Sequence, residues 1–360
     1  MTTPMLQALT EENREALLAQ ALEILDLGGL VCLPTETVYG IGGRSDRPEV
    51  ETQLRAWKGE RGDKPFSLHC ADQDQVFALG KRSPAAQRLA DAFWPGPLTL
   101  VLPKIEGPGS LAFRVVDQDF TRELLRRCEV PLLLSSANRS SEEPPTDPQA
   151  ALAAVGDVAE LIVDAGPCPL ARSSSVVRID KTGSLEILRE GALESQRILA
   201  RAATLVLFLC SGNTCRSPMA EGLARAHYAQ ILGVEVDQLL DRGLLVASAG
   251  CSTMHGMPAS PHAIEAMNEL GIDISDHLSR PVEPALLARA SRIYCMGRSH
   301  LALVHAIVDQ NPHPGELDAL PPALLDPGAE IPDPFGGSLT IYRETRDHIR
   351  QLIPPTFPFA

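Results

Sequence analysis

Nothing in this 360-residue sequence approaches the roughly 20 consecutive apolar residues that a membrane span requires. An export signal is not expected either. The stretch TEENREALLAQALEIL (10–25) has helical spacing and acidic residues where a signal peptide has a basic flank and an apolar core. Basic charge is short: 32 Lys and Arg stand against 46 Asp and Glu, with 21 against 29 in residues 1–200 and 11 against 17 in residues 201–360. Neither half is a basic module. That excludes tight, non-specific nucleic-acid binding but leaves room for a local cationic pocket. The eight cysteines (32, 70, 128, 168, 210, 215, 251 and 295) include no CxxC pair and no zinc-like Cys/His spacing. No metal centre and no disulfide framework is expected, and a reducing cytoplasm is the expected location. Aromatics make up only 4% of the chain, so aliphatic side chains must fill its interior. Internal repeats and low-complexity tracts are absent as well.

What remains is a chain long enough for two domains, with 44% hydrophobic residues to supply two cores. In the first half, strand-like runs recur at GGLVCLPT (28–35), PFSLHC (65–70), LTLVLP (98–103), VPLLLSS (130–136), LIVDAG (161–166), SSVVRID (174–180) and LEILRE (185–190). Helical spacing covers about 10–27, 84–93, 120–128 and 148–155. This predicts an α/β domain with a mixed, twisted sheet over 10–198. GALESQRILARAA (191–203) reads as a short helix or linker, with a boundary near 198–203. Beyond it strands (204–209, 243–248, 292–296) alternate with helices (218–231, 260–270, near 283–289, 299–309, 338–353). That alternation predicts a doubly wound parallel sheet over 203–358.

The second half opens with LFLCSGNTCRSPMAEG (207–222). An apolar run ends on Cys210, small or polar residues follow, and Arg216-Ser217-Pro218 carries a helix-start signal. A thiolate that attacks phosphorus must be ionised, and its target is an oxyanion. A strand-to-helix loop with inward backbone N–H groups serves both needs. Ser211, Gly212, Asn213, Thr214 and Cys215 would form the cradle, and the Arg216 fork would hold two phosphoryl oxygens. Ser217 could cap the helix or bond the thiolate. Cys210 is therefore a nucleophile candidate; the bland alternative is a buried cysteine beside a surface arginine.

Together with VASAG (246–250), PASPHAIEAMNELGID (258–273) and DPFGGSLTIYRETRDHI (333–349), this loop makes residues 204–356 resemble the low-molecular-weight protein tyrosine phosphatase family. The resemblance implies a phosphocysteine at Cys210, a proton supplied to the leaving group by Asp333, an orienting role for Asn213, and a reversible disulfide between Cys215 and Cys210. It implies no cofactor. Thr214 and the run Asp333-Pro334-Phe335-Gly336-Gly337 depart from the tyrosine-specific pattern, which has a bulky aliphatic residue and a second aromatic at these places. They look like the bacterial protein-arginine phosphatase branch, so a phosphoarginine protein substrate is expected in preference to phosphotyrosine. Arsenate reductases share such a loop but need two further cysteines close in sequence. Only Cys251 and Cys295 lie downstream, far apart.

Residues 20–192 resemble the YrdC-like threonylcarbamoyl-adenylate synthases. The resembling stretches include GGLVCLPTETVYGIGG (28–43), KGERGDKPFSLH (58–69), WPGPLTLVLPK (94–104), LAFRVVD (111–117), PLLLSSANRSSEEPPT (131–146), SSSVV (173–177) and ILREG (187–191). The resemblance implies condensation of L-threonine, bicarbonate and ATP, assisted by Mg²⁺, to give threonylcarbamoyl-AMP for a tRNA adenosine modification. It also implies transient contact with tRNA-modification proteins. Thr35, Thr37, His69 and Arg114 match threonine-side positions; Ser136, Asn138, Ser174 and Arg189 match nucleotide-side positions. Lys58, Arg61 and Lys64 form a basic cluster in an acidic domain, suited to a triphosphate, or else a solvated basic helix end. The family's basic motif reads Lys-x-Arg, whereas Lys58-Gly59-Glu60-Arg61 puts a glutamate where the arginine belongs. An inward carboxylate would oppose a triphosphate. Either the loop bulges to bring Arg61 in, or synthase activity is weak or altered. A second reading therefore stands beside a bifunctional enzyme: the N-terminal domain is a nucleotide- or RNA-binding module that regulates the phosphatase.

Overall fold

The structure is a computed structural model describing residues 5–59, 65–310 and 320–353. The chain divides into two compact units, Met1–Arg201 and Ala202–Ala360. Among the described residues no helix is long and apolar enough to cross a membrane.

The first unit holds a mixed sheet of β1 (Met5–Ala8), β2 (Val31–Leu33), β3 (Gly40–Arg44), β4 (Ser67–His69), β5 (Leu98–Pro103), β6 (Ser110–Arg114), β7 (Leu132–Ser136), β8 (Leu161–Asp164), β9 (Ser175–Ile179) and β10 (Leu185–Arg189). Their spatial order is β1-β8-β2-β3-β7-β4-β6-β5-β9-β10. The near-continuous apolar runs are explained by burial on both faces. Val31, Leu33, Leu132, Leu134, Leu161 and Val163 pack with Leu17, Leu18 and Leu25 of helix Arg14–Asp26 and with Phe120 and Leu124 of helix Asp119–Cys128. The alternate residues Cys32, Leu133 and Ile162 face the other way, toward Leu54 and Trp57 of helix Pro48–Lys58 and Val155. Successive strand side chains point to opposite faces, so one short strand serves two cores.

β3 and helix Pro48–Lys58 are findings the strand and helix patterns did not reveal. β3 reads GIGGR, and glycine is a poor strand former. The reason it is tolerated is a close approach: a Cβ on Gly42 would lie 1.9 Å from the Leu133 carbonyl oxygen on β7. The helix is dominated by charge, yet Val50, Leu54, Trp57 and Lys58 share its buried face at helical spacing, behind a Pro48 start.

The second unit has an all-parallel sheet of β11 (Thr204–Cys210), β12 (Leu244–Gly250), β13 (Arg292–Cys295) and β14 (Ala323–Leu324), in the order β12-β11-β13-β14. β11 is buried throughout: Val206, Phe208 and Cys210 join the core on one face, Leu205, Leu207 and Leu209 that on the other. The chain leaves β11 for β12 on one side and later returns to β13 on the other. Strand order therefore reverses at β11, and in such sheets the crevice opens at the carboxyl end of that strand. Cys210 is the last residue of β11.

Candidate active sites

In the second unit the loop from Cys210 wraps into helix Arg216–Leu232. Cys210 is 2% exposed. Its Sγ accepts from the Asn213 backbone N–H at 3.2 Å and lies 3.0 Å from Ser217 Oγ. Asn213 adopts a left-handed conformation (φ 52°), which an asparagine tolerates better than most residues. It is fully buried and bonded on every side: Nδ2 donates to Ser217 Oγ and Ser248 Oγ, Oδ1 accepts from the Arg280 N–H, and its carbonyl meets His277 Nε2 at 2.8 Å. These bonds fix the turn that aims the Asn213 N–H at Cys210 Sγ.

Arg216 is buried by its aliphatic stem and fork. Its Nη1 donates to the Ile331 carbonyl at 3.1 Å, and its Nη2 donates to Ser211 Oγ at 3.4 Å and to Asp333 Oδ2 at 2.5 Å. Nε is buried without a partner among the described residues. The half-exposed Asp333 also accepts from the Phe335 N–H, whose ring stands 76% exposed beside it. Ser211 Oγ is in turn 2.8 Å from Nε2 of the buried His300. Cys215 Sγ lies among Thr214 Oγ1 (3.6 Å), Ser260 Oγ (3.5 Å) and Tyr342 Oη (3.3 Å). Burial, with the Cys215 contact, pushes the Tyr342 phenol up to about 12, so it remains a neutral donor. Thr214 is half-buried, and its carbonyl caps the Ser260 N–H. Gly212 is half-buried in the loop, where a Cβ would meet only Thr214 Oγ1 at 3.4 Å.

The sequence-derived residues Cys210 to Ser217 and Asp333 thus come together around one loop. Ser248, His277, Arg280, His300 and Tyr342 were missed. They arrive from four other elements, and no local spacing marks them. His277 and Ser248 lie inside or near quoted stretches but carry no pattern of their own.

In the first unit Thr35 and Thr37 follow β2 and are buried. Their hydroxyls are 2.9 Å apart, and Thr35 Oγ1 also accepts from the Val38 N–H. Arg114, at the end of β6, donates from Nη2 to Thr37 Oγ1 and to Glu36 Oε1, both at 2.7 Å. The Arg114–Glu36 pair is almost fully buried, and Glu36 Oε2 accepts from the Asp117 N–H. Glu36 is a further residue that sequence reasoning missed, although it sits between the two threonines. Arg114 Nε has no partner among the described residues. His69 is paired in register with Arg114 across β4 and β6. Burial first, then the Arg114 charge, pulls its imidazole down to about 3, so the ring is neutral at physiological pH.

Lys58 is the last residue of helix Pro48–Lys58 and is buried rather than solvated. Its ammonium donates to the Ser136 carbonyl (2.6 Å), Ser136 Oγ (3.3 Å) and the Asn138 carbonyl (2.9 Å). Asn138 Nδ2 holds the turn through the Arg139 and Glu142 carbonyls, while its buried Oδ1 has no partner among the described residues. Ser174 Oγ meets Thr99 Oγ1 at 2.9 Å, and the Arg189 guanidinium donates to the Ser174 carbonyl and Oγ. Desolvation first, then the Arg114 charge, lowers the Arg189 pKa. Three clusters are therefore formed: Thr35–Thr37–Arg114 with His69 beside it, Lys58–Ser136–Asn138, and Ser174–Arg189. Arg61 and Lys64, with Glu60, lie outside the described residues.

Comparison with known proteins places both halves. The Sua5/YciO/YrdC family model, described as telomere recombination, matches residues 23–191. The low molecular weight phosphotyrosine protein phosphatase model matches residues 205–356. The chain belongs to both families. The first half is similar to the threonylcarbamoyl-AMP synthase of Pyrococcus abyssi, at 31% identity over 212 residues, covering 56% of this chain and 62% of that protein. This chain thus spans less than two thirds of that relative's length. The second half is similar to a protein-arginine-phosphatase of Bacillus subtilis, at 32% identity over 148 residues, covering 41% of this chain and 91% of that protein. A crystal structure of P. abyssi Sua5 complexed with L-threonine shares the fold of the YrdC-like half (TM-score 0.51, 23% identity, 68% of this chain and 92% of that one).

Proposed function

We propose that this chain is a bifunctional enzyme: its phosphatase half removes phosphoryl groups from protein through Cys210, and its YrdC-like half makes L-threonylcarbamoyl-AMP. The observation that carries the first activity is the bonding of Cys210 Sγ to the Asn213 N–H and Ser217 Oγ, beside an Arg216 joined to Asp333. Two donors on the sulfur stabilise a thiolate. The thiolate attacks phosphorus, the bond to the leaving group breaks, and Asp333 gives that group its proton. Arg216 takes two phosphoryl oxygens through Nε, which is buried without a partner among the described residues, and through Nη2, which otherwise donates to Asp333. As the dianion draws Nη2 away, the Asp333 carboxylate loses its counter-cation beside a new negative charge and takes up from solvent the proton it then gives to the leaving group. Asp333 then accepts a proton from the water that cleaves the phosphocysteine, and inorganic phosphate leaves.

Phosphoarginine is the substrate this reading favours over phosphotyrosine. Thr214 Oγ1 is a half-buried hydroxyl in the cradle that can accept from a guanidinium N–H, where an aliphatic residue offers only methyl groups. A buried donor left unpaired costs about 1–3 kcal/mol. Thr214→Ile is therefore expected to lower kcat/KM on phosphoarginine peptides by about ten- to a hundred-fold and to raise it on phosphotyrosine peptides. Steady-state kinetics on both substrates measure this. A preference for phosphotyrosine that the substitution leaves unchanged returns the domain to tyrosine phosphatases.

For the first half, the carrying observation is the buried Thr35–Thr37–Arg114 cluster, built on the same sheet as the Lys58–Ser136–Asn138 and Ser174–Arg189 clusters. A Sua5 of P. abyssi has been crystallised with L-threonine. Here Arg114 suits the threonine carboxylate, and Thr35, Thr37 and neutral His69 suit its amine and hydroxyl. The amine condenses with bicarbonate, the carbamate oxygen attacks the α-phosphorus of ATP, and pyrophosphate leaves. ATP enters as its magnesium complex, in which the triphosphate supplies the metal ligands. Lys58 with Arg61 and Lys64 would offset the triphosphate charge, while Ser136, Asn138, Ser174 and Arg189 hold the nucleotide. The Glu60 departure gives a sharp test on the full chain. Arg61→Ala should eliminate pyrophosphate release with ATP, threonine and bicarbonate, and Glu60→Ala should preserve or raise it. If wild type releases none, the half is instead a nucleotide- or RNA-binding module attached to the phosphatase.

A further inference from the structure

One buried titratable group beside the phosphatase loop takes no part in the chemistry derived above. His300 is the third residue of helix Arg298–Gln310 and is only 6% exposed. Its Nε2 lies 2.8 Å from Ser211 Oγ, and its Nδ1 is buried without a hydrogen-bond partner among the described residues. Ser211 directly follows the nucleophile, and its Oγ already accepts from Arg216 Nη2 at 3.4 Å.

We propose that His300 is a positioning residue of the phosphatase loop: its Nε2–H donates to Ser211 Oγ and turns the Ser211 hydroxyl proton toward a phosphoryl oxygen bound over Cys210. The inference rests on the phosphatase reading of this half. The tautomer follows from the unpaired atom. If Nδ1 carried the hydrogen, a buried N–H would be orphaned, which is rarer and costlier in folded proteins than a bare acceptor. Double protonation is opposed by burial and by the Arg216 charge, which lower the affinity of the ring for a proton against the opposing pull of Asp333 and Glu330. Glu330 and Nδ1 both border Gly297, where a Cβ would fall 3.2 Å from Glu330 Oε2 and 3.5 Å from the ring nitrogen, but the two make no hydrogen bond. The other Glu330 oxygen accepts from the Arg298 N–H. The ring is thus neutral, with its hydrogen at Nε2. Ser211 Oγ then accepts from His300 and from Arg216, which leaves its own O–H free to donate into the cradle. A hydroxyl so oriented binds an anion without reorganising.

The test is calorimetric titration of the full-length protein with inorganic phosphate. It reads binding whether or not the protein turns over a phosphate ester. His300→Leu should weaken phosphate binding by about five- to ten-fold, the worth of one buried hydrogen bond. His300→Gln, whose amide N–H reaches the place of Nε2, should recover most of the loss. Ser211→Ala, which leaves the ring untouched, should cost as much as His300→Leu, and the two together no more than either alone. Additive losses, a glutamine variant as weak as the leucine one, or unchanged phosphate binding in His300→Leu would each overturn the proposal. Failure of the phosphatase reading is a different result: phosphate binds, but no hydrolysis depends on Cys210.

Discussion

Cys210→Ser is expected to lower hydrolysis of an aryl phosphate by about 10³-fold or more while phosphate remains bound in the loop. The two effects separate because two sets of groups produce them. On this reading binding would fall to the loop backbone held by Asn213, to the Arg216 fork and to the start of helix Arg216–Leu232, and none of these changes. Attack on phosphorus belongs to the sulfur. A serine hydroxyl is not ionised near neutrality, and the Asn213 N–H and Ser217 Oγ that support a thiolate do not supply a base. Kinetics with p-nitrophenyl phosphate and titration with inorganic phosphate read the two separately. Activity within ten-fold of wild type would remove Cys210 as the attacking group.

Asp333→Asn should reduce turnover by about 10²–10³-fold on esters with poor leaving groups and by less than about ten-fold on activated ones. Only a poor leaving group needs its proton in the transition state. The 2.5 Å contact between Asp333 Oδ2 and Arg216 Nη2 sets up the competing explanation, that the carboxylate matters by holding the arginine in place. In that case the substitution would slow both classes equally, since both need the arginine. A series of aryl phosphates of graded leaving-group pKa distinguishes the two: a steeper dependence in the variant supports proton donation, and an unchanged slope with a uniform loss supports positioning.

How far these sites can be read from sequence depends on how local their parts are. The loop from Cys210 to Ser217 is contiguous, so its spacing, together with its place after an apolar strand and before a helix start, was enough to single it out as a candidate cradle. Asp333 could be placed only through family resemblance, because nothing near it points to Cys210. The groups that hold the loop, Ser248, His277, Arg280, His300 and Tyr342, come from distant elements and were illegible. Each is one polar residue whose partner is fixed by the sheet and not by the chain. In the first half the long apolar strands were plain, because burial on both faces makes them continuous. The glycine-rich β3 was not, since its composition reflects the close approach of β7 rather than strand preference. Glu36 stood in plain view in PTET, but its meaning depends on Arg114 reaching it from β6. The reading of Lys58 as either a triphosphate cation or a solvated helix end missed what it does to the chain: its ammonium is buried and pins the Ser136–Asn138 turn.

The central claim is that one chain carries two separate catalytic sites. The most direct measurement assays pyrophosphate release and aryl phosphate hydrolysis side by side on full-length wild type, Cys210→Ser and Lys58→Ala. Wild type is expected to perform both, with pyrophosphate release dependent on ATP, threonine and bicarbonate together. Cys210→Ser should lose only the hydrolysis, and Lys58→Ala only the pyrophosphate release. Wild type that hydrolyses the aryl phosphate but releases no pyrophosphate with all three substrates present would contradict the account.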